Sequence, residues 1–419
     1  ARPAEVQVVH LPAPARGSVV TLEEPPLVGR DAQRAVLLNH LETAASGQGG
    51  LVLLEGEAGI GKTRLTRELV AGSGWRNIYT VVAFAAQTDV PSSYSLLLAA
   101  LSPVLSPLRI RQLAGLLEPV HFQAAALLLP CLAETLGDHP PLPDLPPPQA
   151  CERIQQALIA LVLGLSRITP HLWVLEDLQW ADAETLSLLP LVLPRLAESR
   201  TLFLLTGRSA DLRANPLVWN ALQSLDRAGP FPRYTLTRLG KDDVGSLVHN
   251  LLGREQTALA EHLARESEGV PLYLVEILKT WRDEGHLAPT ERGTWQWRGD
   301  VPTARPAHLG QAVIGYRVAG LTPAAGEVLS AAAVIGVEID FDLLGRMCAP
   351  PDALSDHPRL LTATDELLRL GFLTETDTCY HFSHEQVRQA VYHRLSSTEC
   401  QHLHRKAALA AQALFPTQV

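Results

Sequence analysis

The chain has 419 residues, of which 47% are hydrophobic and 19% charged, more than one ordinary core can hold and enough for about two to four domains. The formal net charge of −9 argues against a broad nucleic-acid or membrane footprint. No run of 18 apolar residues marks a bilayer span, and no signal peptide opens the chain.

Residues 1–26 are proline-rich without a sustained period and read as a linker. Residues 31–47, DAQRAVLLNHLETAASG, have apolar residues at helical spacing and end on glycine. The short apolar run at 51–54 predicts a strand, 63–72 a helix, and 78–85 a second strand. Residues 92–137, rich in Leu and Ala, predict helices inserted between strands, followed by a Pro-rich break at 140–148 and a helix over 150–168. Strands at 172–177, 201–207 and 232–238, with a helix at 183–198, complete the alternation. Such alternation predicts an α/β domain over 27–239, a parallel sheet covered on both faces.

Beyond residue 240 the strands thin out. Helices at 241–253, 255–267 and from Pro271 to about 285 predict a helical lid domain over 240–320, with a hairpin around Trp295 and Trp297. Helices at 323–334, 358–371 and 384–394, with a strand pair near 372–382, have the helix, helix, hairpin, helix outline of a winged-helix domain over 321–398. Residues 399–419 begin a further helical, repeat-like region. Five scattered cysteines show no metal-ligand spacing and read as free thiols in a reducing compartment, so a cytoplasmic location is expected. The chain starts at Ala1 and its only methionine is Met347, so it reads as a piece of something larger.

The chemistry centres on residues 51–64, LVLLEGEAGIGKTR, a strand, a glycine-rich turn and a helix. Gly56, Gly61, Lys62 and Thr63 have the spacing G-x-x-x-x-G-K-[ST] of a phosphate-binding loop. Gly56, Gly59 and Gly61 let the backbone bend so that successive N–H groups, through Glu57, Ala58 and Ile60, hold phosphate oxygens. Lys62 supplies a cation for the β- and γ-phosphates, and the Thr63 hydroxyl can hold Mg²⁺. ATP or ADP with Mg²⁺ is therefore the expected ligand.

The strand LWVLED ends on two carboxylates. Glu176 can orient Mg²⁺ or its water, and Asp177 can polarise the water that attacks the γ-phosphate. Adjacent strand residues point to opposite faces, so the strand end must turn for both to serve one site. Arg208 follows the strand 201–207 and would face the same crevice. Pro271 suits a first helical position. His384 stands at a helix start, where an imidazole can donate to a phosphate.

In this order the motifs LVGRD (27–31), GEAGIGKTR (56–64), VLEDLQWAD (174–182), TLFLLTGR (201–208), GVPLYLVEIL (269–278) and YHFSHEQVRQAVY (380–392) resemble the signal-transduction ATPases with numerous domains, the STAND class. The likeness is to the module of large LuxR-type regulators and of proteins with class III adenylyl cyclase domains. It implies a P-loop NTPase sheet of AAA+/STAND type, a helical lid and a winged helix. It places Val28 and Arg30 by the adenine and sugar, and Gly61, Lys62, Thr63 and Arg64 around the phosphates and Mg²⁺. Glu176 takes the Mg²⁺-side place, Asp177 the water-side place, and Arg208 the sensor position at the γ-phosphate. Pro271 would pack on the adenine and His384 would reach the β-phosphate of ADP. Glu176 stands where aspartate is more usual, and its longer arm implies slow hydrolysis. Glu385 stands where related ATPases often carry Asp.

The implied function is a regulatory switch, closed with ADP and opened on exchange for ATP. Its partners would be fused effector and sensor domains, with nucleotide-dependent self-assembly. A continuously cycling AAA+-like motor and a DNA-binding transcriptional regulator are the competing readings. Residues 322–399 carry five Arg or Lys against twelve Asp or Glu, the wrong sign for phosphate contacts. Direct nucleic-acid binding and membrane association are accordingly not expected.

Overall fold

Leucine and valine are the commonest residues of four short runs that form most of the sheet: β1 (Gly50–Gly56), β2 (Tyr79–Phe84), β3 (His171–Glu176) and β4 (Thr201–Arg208). With β5 (Arg233–Leu236) they make one five-stranded sheet in the order β2-β3-β4-β1-β5. Every pairing in it is parallel. The computed structural model describes residues 22, 25–74, 76–85, 93–133, 142–290, 294–299, 309–336, 338–348, 357–376 and 379–414. Most of the expected linker 1–26 lies outside these residues.

Both sheet faces are covered, which is why the central strands β1, β3 and β4 are largely apolar rather than alternating. Helices α1 (Asp31–Ala45) and α2 (Lys62–Gly74) lie against one face. The inserted helices α3 (Ser95–Leu101), α4 (Pro107–Leu116), α5 (Pro119–Ala126) and α6 (Pro130–Ala133) contribute to the core on the other. So do α7 (Pro147–Ile168) and α8 (Ala183–Leu196). Leu51, Leu53, Val81, Ala83, Trp173, Leu175, Phe203 and Leu205 belong to that second core, with Trp173 and Phe203 stacked at 5.8 Å. The alternate residues Val52, Leu54, Val174 and Leu204 are equally buried, as period-two strands require. Two short helices, α9 (Ser209–Ala214) and α10 (Pro216–Ala228), connect β4 to β5.

The chain divides into two compact units, one containing Arg30–Thr237 and the other Gly17–Gly29 with Arg238–Val419. In the second unit, α11 (Lys241–Leu252), α12 (Thr257–Ser267) and α13 (Pro271–Asp283) pack around a core that fully buries Leu22. The hairpin β6 (Leu287–Pro289) and β7 (Trp295–Trp297) is antiparallel. Trp297 meets the edge of Trp281 at 5.0 Å and stacks on His286 at 5.7 Å, so aromatic packing fixes this short ribbon.

Next come α14 (Leu309–Ala319), α15 (Pro323–Ile335), β8 (Glu338–Ile339), α16 (Phe341–Cys348) and α17 (His357–Arg369). The chain continues with β9 (Leu373–Glu375), β10 (Tyr380–Phe382), α18 (Glu385–Tyr392) and α19 (Ser397–Leu414). The sequence outline lacked α14, α16 and β8. Strand β8 has two residues, too few to show a period, yet it completes an antiparallel sheet in the order β8-β10-β9.

A buried charge cluster joins α13 to this region. Glu276 accepts from Lys279 at 2.9 Å and from Arg317 of α14. Lys279 also donates to the Gly371 carbonyl at 3.4 Å, and Arg317 donates to the Leu370 carbonyl. The Arg317 guanidinium lies 4.6 Å from the Phe372 ring centre. Among the described residues, no single helix is long and apolar enough to cross a membrane.

Candidate nucleotide site

In an open parallel sheet, ligands bind beyond the carboxyl ends of the strands where the strand order reverses. Here β4 lies between β1 and β3, so the ends of these three strands adjoin. Gly56 is in register with Arg208, and Leu54 with Thr206. The phosphate loop follows β1, the acidic pair closes β3, and Arg208 ends β4. The sheet therefore brings together the sequence-predicted residues of this unit.

The loop from Gly56 to Gly61 has the expected shape. Gly59 and Gly61 have φ of +74° and +99°, values that a Cβ would penalise. Helix α2 starts at Lys62 and directs its N-terminal N–H groups at the loop. The Lys62 ammonium is largely buried and donates to the carbonyls of Gly56 at 3.1 Å and Glu57 at 2.9 Å. Burial lowers its pKa, against the opposing pull of the Asp177 and Glu176 carboxylates.

The turn needed at the end of β3 is present. Asp177 has φ 59° and ψ 48°, the left-handed region, and this breaks the strand alternation immediately after Glu176. Glu176 is buried, and its Oε2 accepts from Thr206 at 2.6 Å and from Thr63 at 3.5 Å. Burial pushes its carboxyl pKa up, with the Thr206 hydrogen bond opposing. Its Oε1 is buried without a hydrogen-bond partner. A carboxylate oxygen in that condition, with the Thr63 hydroxyl beside it, suits a hard cation or the water bound to one. The residues present thus fit Mg²⁺ and a polyphosphate.

Two side chains that sequence reasoning passed over organise the acids. Thr206 also accepts the Asp177 N–H at 3.2 Å. Gln179, 2% exposed, donates Nε2 to Asp177 Oδ1 at 2.8 Å and accepts the Arg208 N–H at 3.2 Å. Both lie inside quoted motifs, so position within the motif was the available signal. Asp182 of the same motif caps α8 through Thr185 N–H at 2.8 Å and accepts the N–H groups of Tyr94 and Leu96 at 2.9 and 3.2 Å. It thereby fixes the start of α3.

The other expected residues are distributed as follows. Arg208 places its guanidinium 3.8 Å from Asp211. Arg64 pairs with Glu68 at 2.9 Å. Arg30 is buried and donates to the carbonyls of Ile60 at 3.4 Å and of Thr237, joining the phosphate loop to the end of β5. Val28, Pro271 and His384 belong to the second unit. Val28 packs on the core of α11–α13, and Pro271 opens α13. His384 caps α18, its Nδ1 accepting the Gln386 N–H at 3.2 Å, which leaves Nε2 as the ring's N–H donor.

Residues 26–205 match the AAA ATPase domain family. An uncharacterised protein of Rhizobium meliloti (strain 1021) is 27% identical over 407 residues, 91% of this chain and 36% of that protein. A STAND protein with a tetratricopeptide repeat sensor from Pyrococcus horikoshii covers 96% of this chain and 47% of its own, at 15% identity and a TM-score of 0.52. A Walker-type ATPase of Pyrococcus abyssi covers 90% of this chain and 100% of its own, at 14% identity and a TM-score of 0.41. The chain thus spans less than half the length of the curated relative and of the STAND structure. Residues 26–205 are thus similar to an AAA ATPase domain with a P-loop, and the chain shares its fold with a STAND protein.

Proposed function

We propose that the chain is the ATP/ADP-responsive switch of a larger STAND-type signalling protein, with slow Mg²⁺-dependent hydrolysis resetting it. The observation that carries this reading is the convergence of Lys62, Glu176, Asp177 and Arg208 on adjoining strand ends of one sheet. Bound Mg²⁺ would neutralise charge on the phosphates. Lys62 would leave its two loop carbonyls to reach the β- and γ-phosphates. Asp177 would hold the proton-accepting position beside the attacking water, and Arg208 would report the γ-phosphate.

Val28, Pro271 and His384 would complete the site around the base and the β-phosphate, so that ADP favours a closed state and ATP an open one. Only a ligand with different affinities for the two states can do this. The helix order around β8–β10 supports a winged-helix reading, and its acidic balance supports a scaffold role over DNA binding. Fused effector and sensor domains, and assembly in the ATP state, extend the same proposal.

The test is ADP affinity by calorimetry for the wild type, Lys62→Ala and His384→Ala. Loss of binding in Lys62→Ala and a weakening of about tenfold in His384→Ala are expected. Unchanged ADP affinity in His384→Ala contradicts the closed-state contact. Turnover of several ATP per second without an activator favours the motor.

A further inference from the structure

We infer that Gln179 is a positioning residue for ATP hydrolysis: its side-chain amide clamps the water-side carboxylate, Asp177, to the strand end that carries Arg208. The inference rests on the hydrolytic part of the function proposed above and adds a residue to it.

Gln179 lies in the turn after β3, and 2% of its surface is exposed. Burying a primary amide is costly unless both ends are satisfied. Both are. The NH₂ end donates to Asp177 Oδ1 at 2.8 Å, and the oxygen accepts the Arg208 N–H at 3.2 Å. The Gln179 backbone carbonyl accepts from Asn215 Nδ2 at 3.1 Å, which ties the turn to the start of α10. Asp177 needs this support because its left-handed backbone is unfavourable unless the surroundings impose it.

The chemical consequence follows from hydrogen-bond direction. An ionised carboxylate only accepts. A donor fixed on Oδ1 sets the rotation of the carboxylate and leaves Oδ2 to take a proton from water. The same amide fixes the backbone of Arg208, so the γ-phosphate sensor and the proton-accepting group share one rigid link. Supporting contacts of this kind typically contribute about 10- to 100-fold to the function of the group they hold.

The experiment compares wild type, Gln179→Leu, Gln179→Glu, Asp177→Asn and the double variant Asp177→Asn/Gln179→Leu in the full chain. Gln179→Glu keeps the acceptor for the Arg208 N–H and loses the donor to Asp177 at pH 8. It stands in should Gln179→Leu fail to melt cooperatively. Four readouts are taken: single-turnover hydrolysis of Mg-ATP, ATP affinity, melting temperature, and deuterium exchange of peptides covering Arg208.

The expected result is a loss of about 10- to 100-fold in the hydrolysis rate with ATP affinity within about twofold. Faster exchange at Arg208 is expected in Gln179→Leu, and no further rate loss when Gln179→Leu is added to Asp177→Asn. Wild-type rates in both Gln179 variants, a multiplicative loss in the double variant, or unchanged exchange at Arg208 in Gln179→Leu would overturn the positioning role. A wild type that binds Mg-ATP and never cleaves it overturns the hydrolytic reading itself, and the inference with it.

Discussion

Thr206 donates its hydroxyl to Glu176 Oε2 at 2.6 Å, across the seam between β4 and β3. It is fully buried, and it also receives the Asp177 N–H. One hydroxyl therefore holds both residues of the acidic pair. Thr206→Val keeps the shape and removes both bonds, leaving a buried carboxylate with one weak partner. The expected cost is about 1–3 kcal/mol of unfolding free energy, measured by urea denaturation, and Thr206→Ser restores most of it. Wild-type stability in Thr206→Val would count against this role.

The cluster of Glu276, Lys279 and Arg317 gives a second test. All three are buried. Burial alone would raise the Glu276 carboxyl pKa; Lys279 and Arg317 beside it overcome that and hold it below the usual range. Breaking a buried pair from one side typically costs about 3–5 kcal/mol, so Arg317→Met should melt markedly earlier than wild type. A depressed carboxylate stabilises the fold above its unfolded pKa of about 4.3, and that stability disappears as pH falls through the lower folded value. Glu276→Gln should flatten the acid limb of the stability profile below about pH 4. An identical limb in the variant would contradict the assignment.

His171 sets a different pH window. It lies between Tyr79 at 5.5 Å and Trp173 at 5.8 Å, with Nδ1 donating to the Thr169 carbonyl at 2.7 Å. Burial lowers its pKa from 6.5 to about 4. The native state thus prefers the neutral ring, so stability is complete above about pH 6.5 and falls progressively to about pH 4, by roughly 3 kcal/mol. His171→Phe should abolish the slope in that interval, as followed by chemical denaturation at a series of pH values.

The P-loop sheet was legible in the sequence because its signals are local. Four short apolar runs and one glycine-rich turn identify β1–β4 and the phosphate loop without any long-range information. The parts that stayed hidden depend on partners distant in the chain. Gly29, within LVGRD, has φ +63°, and a Cβ there would lie 2.4 Å from the Asp243 carboxyl carbon, a neighbour in α11 that no local pattern reveals. Glu276 carries no local signal on α13, because its partner Arg317 lies 41 positions later. Gln179 lies inside the motif VLEDLQWAD, yet its partner, the Arg208 N–H, is 29 positions away. Strand β8 forms because β10 offers it an edge.

The most direct measurement is the nucleotide carried by the purified chain. After heat extraction and anion-exchange chromatography, wild type should release about one equivalent of ADP, and Lys62→Ala essentially none. Wild-type protein that releases no nucleotide, and binds neither ADP nor Mg-ATP when titrated, would contradict the switch at its foundation.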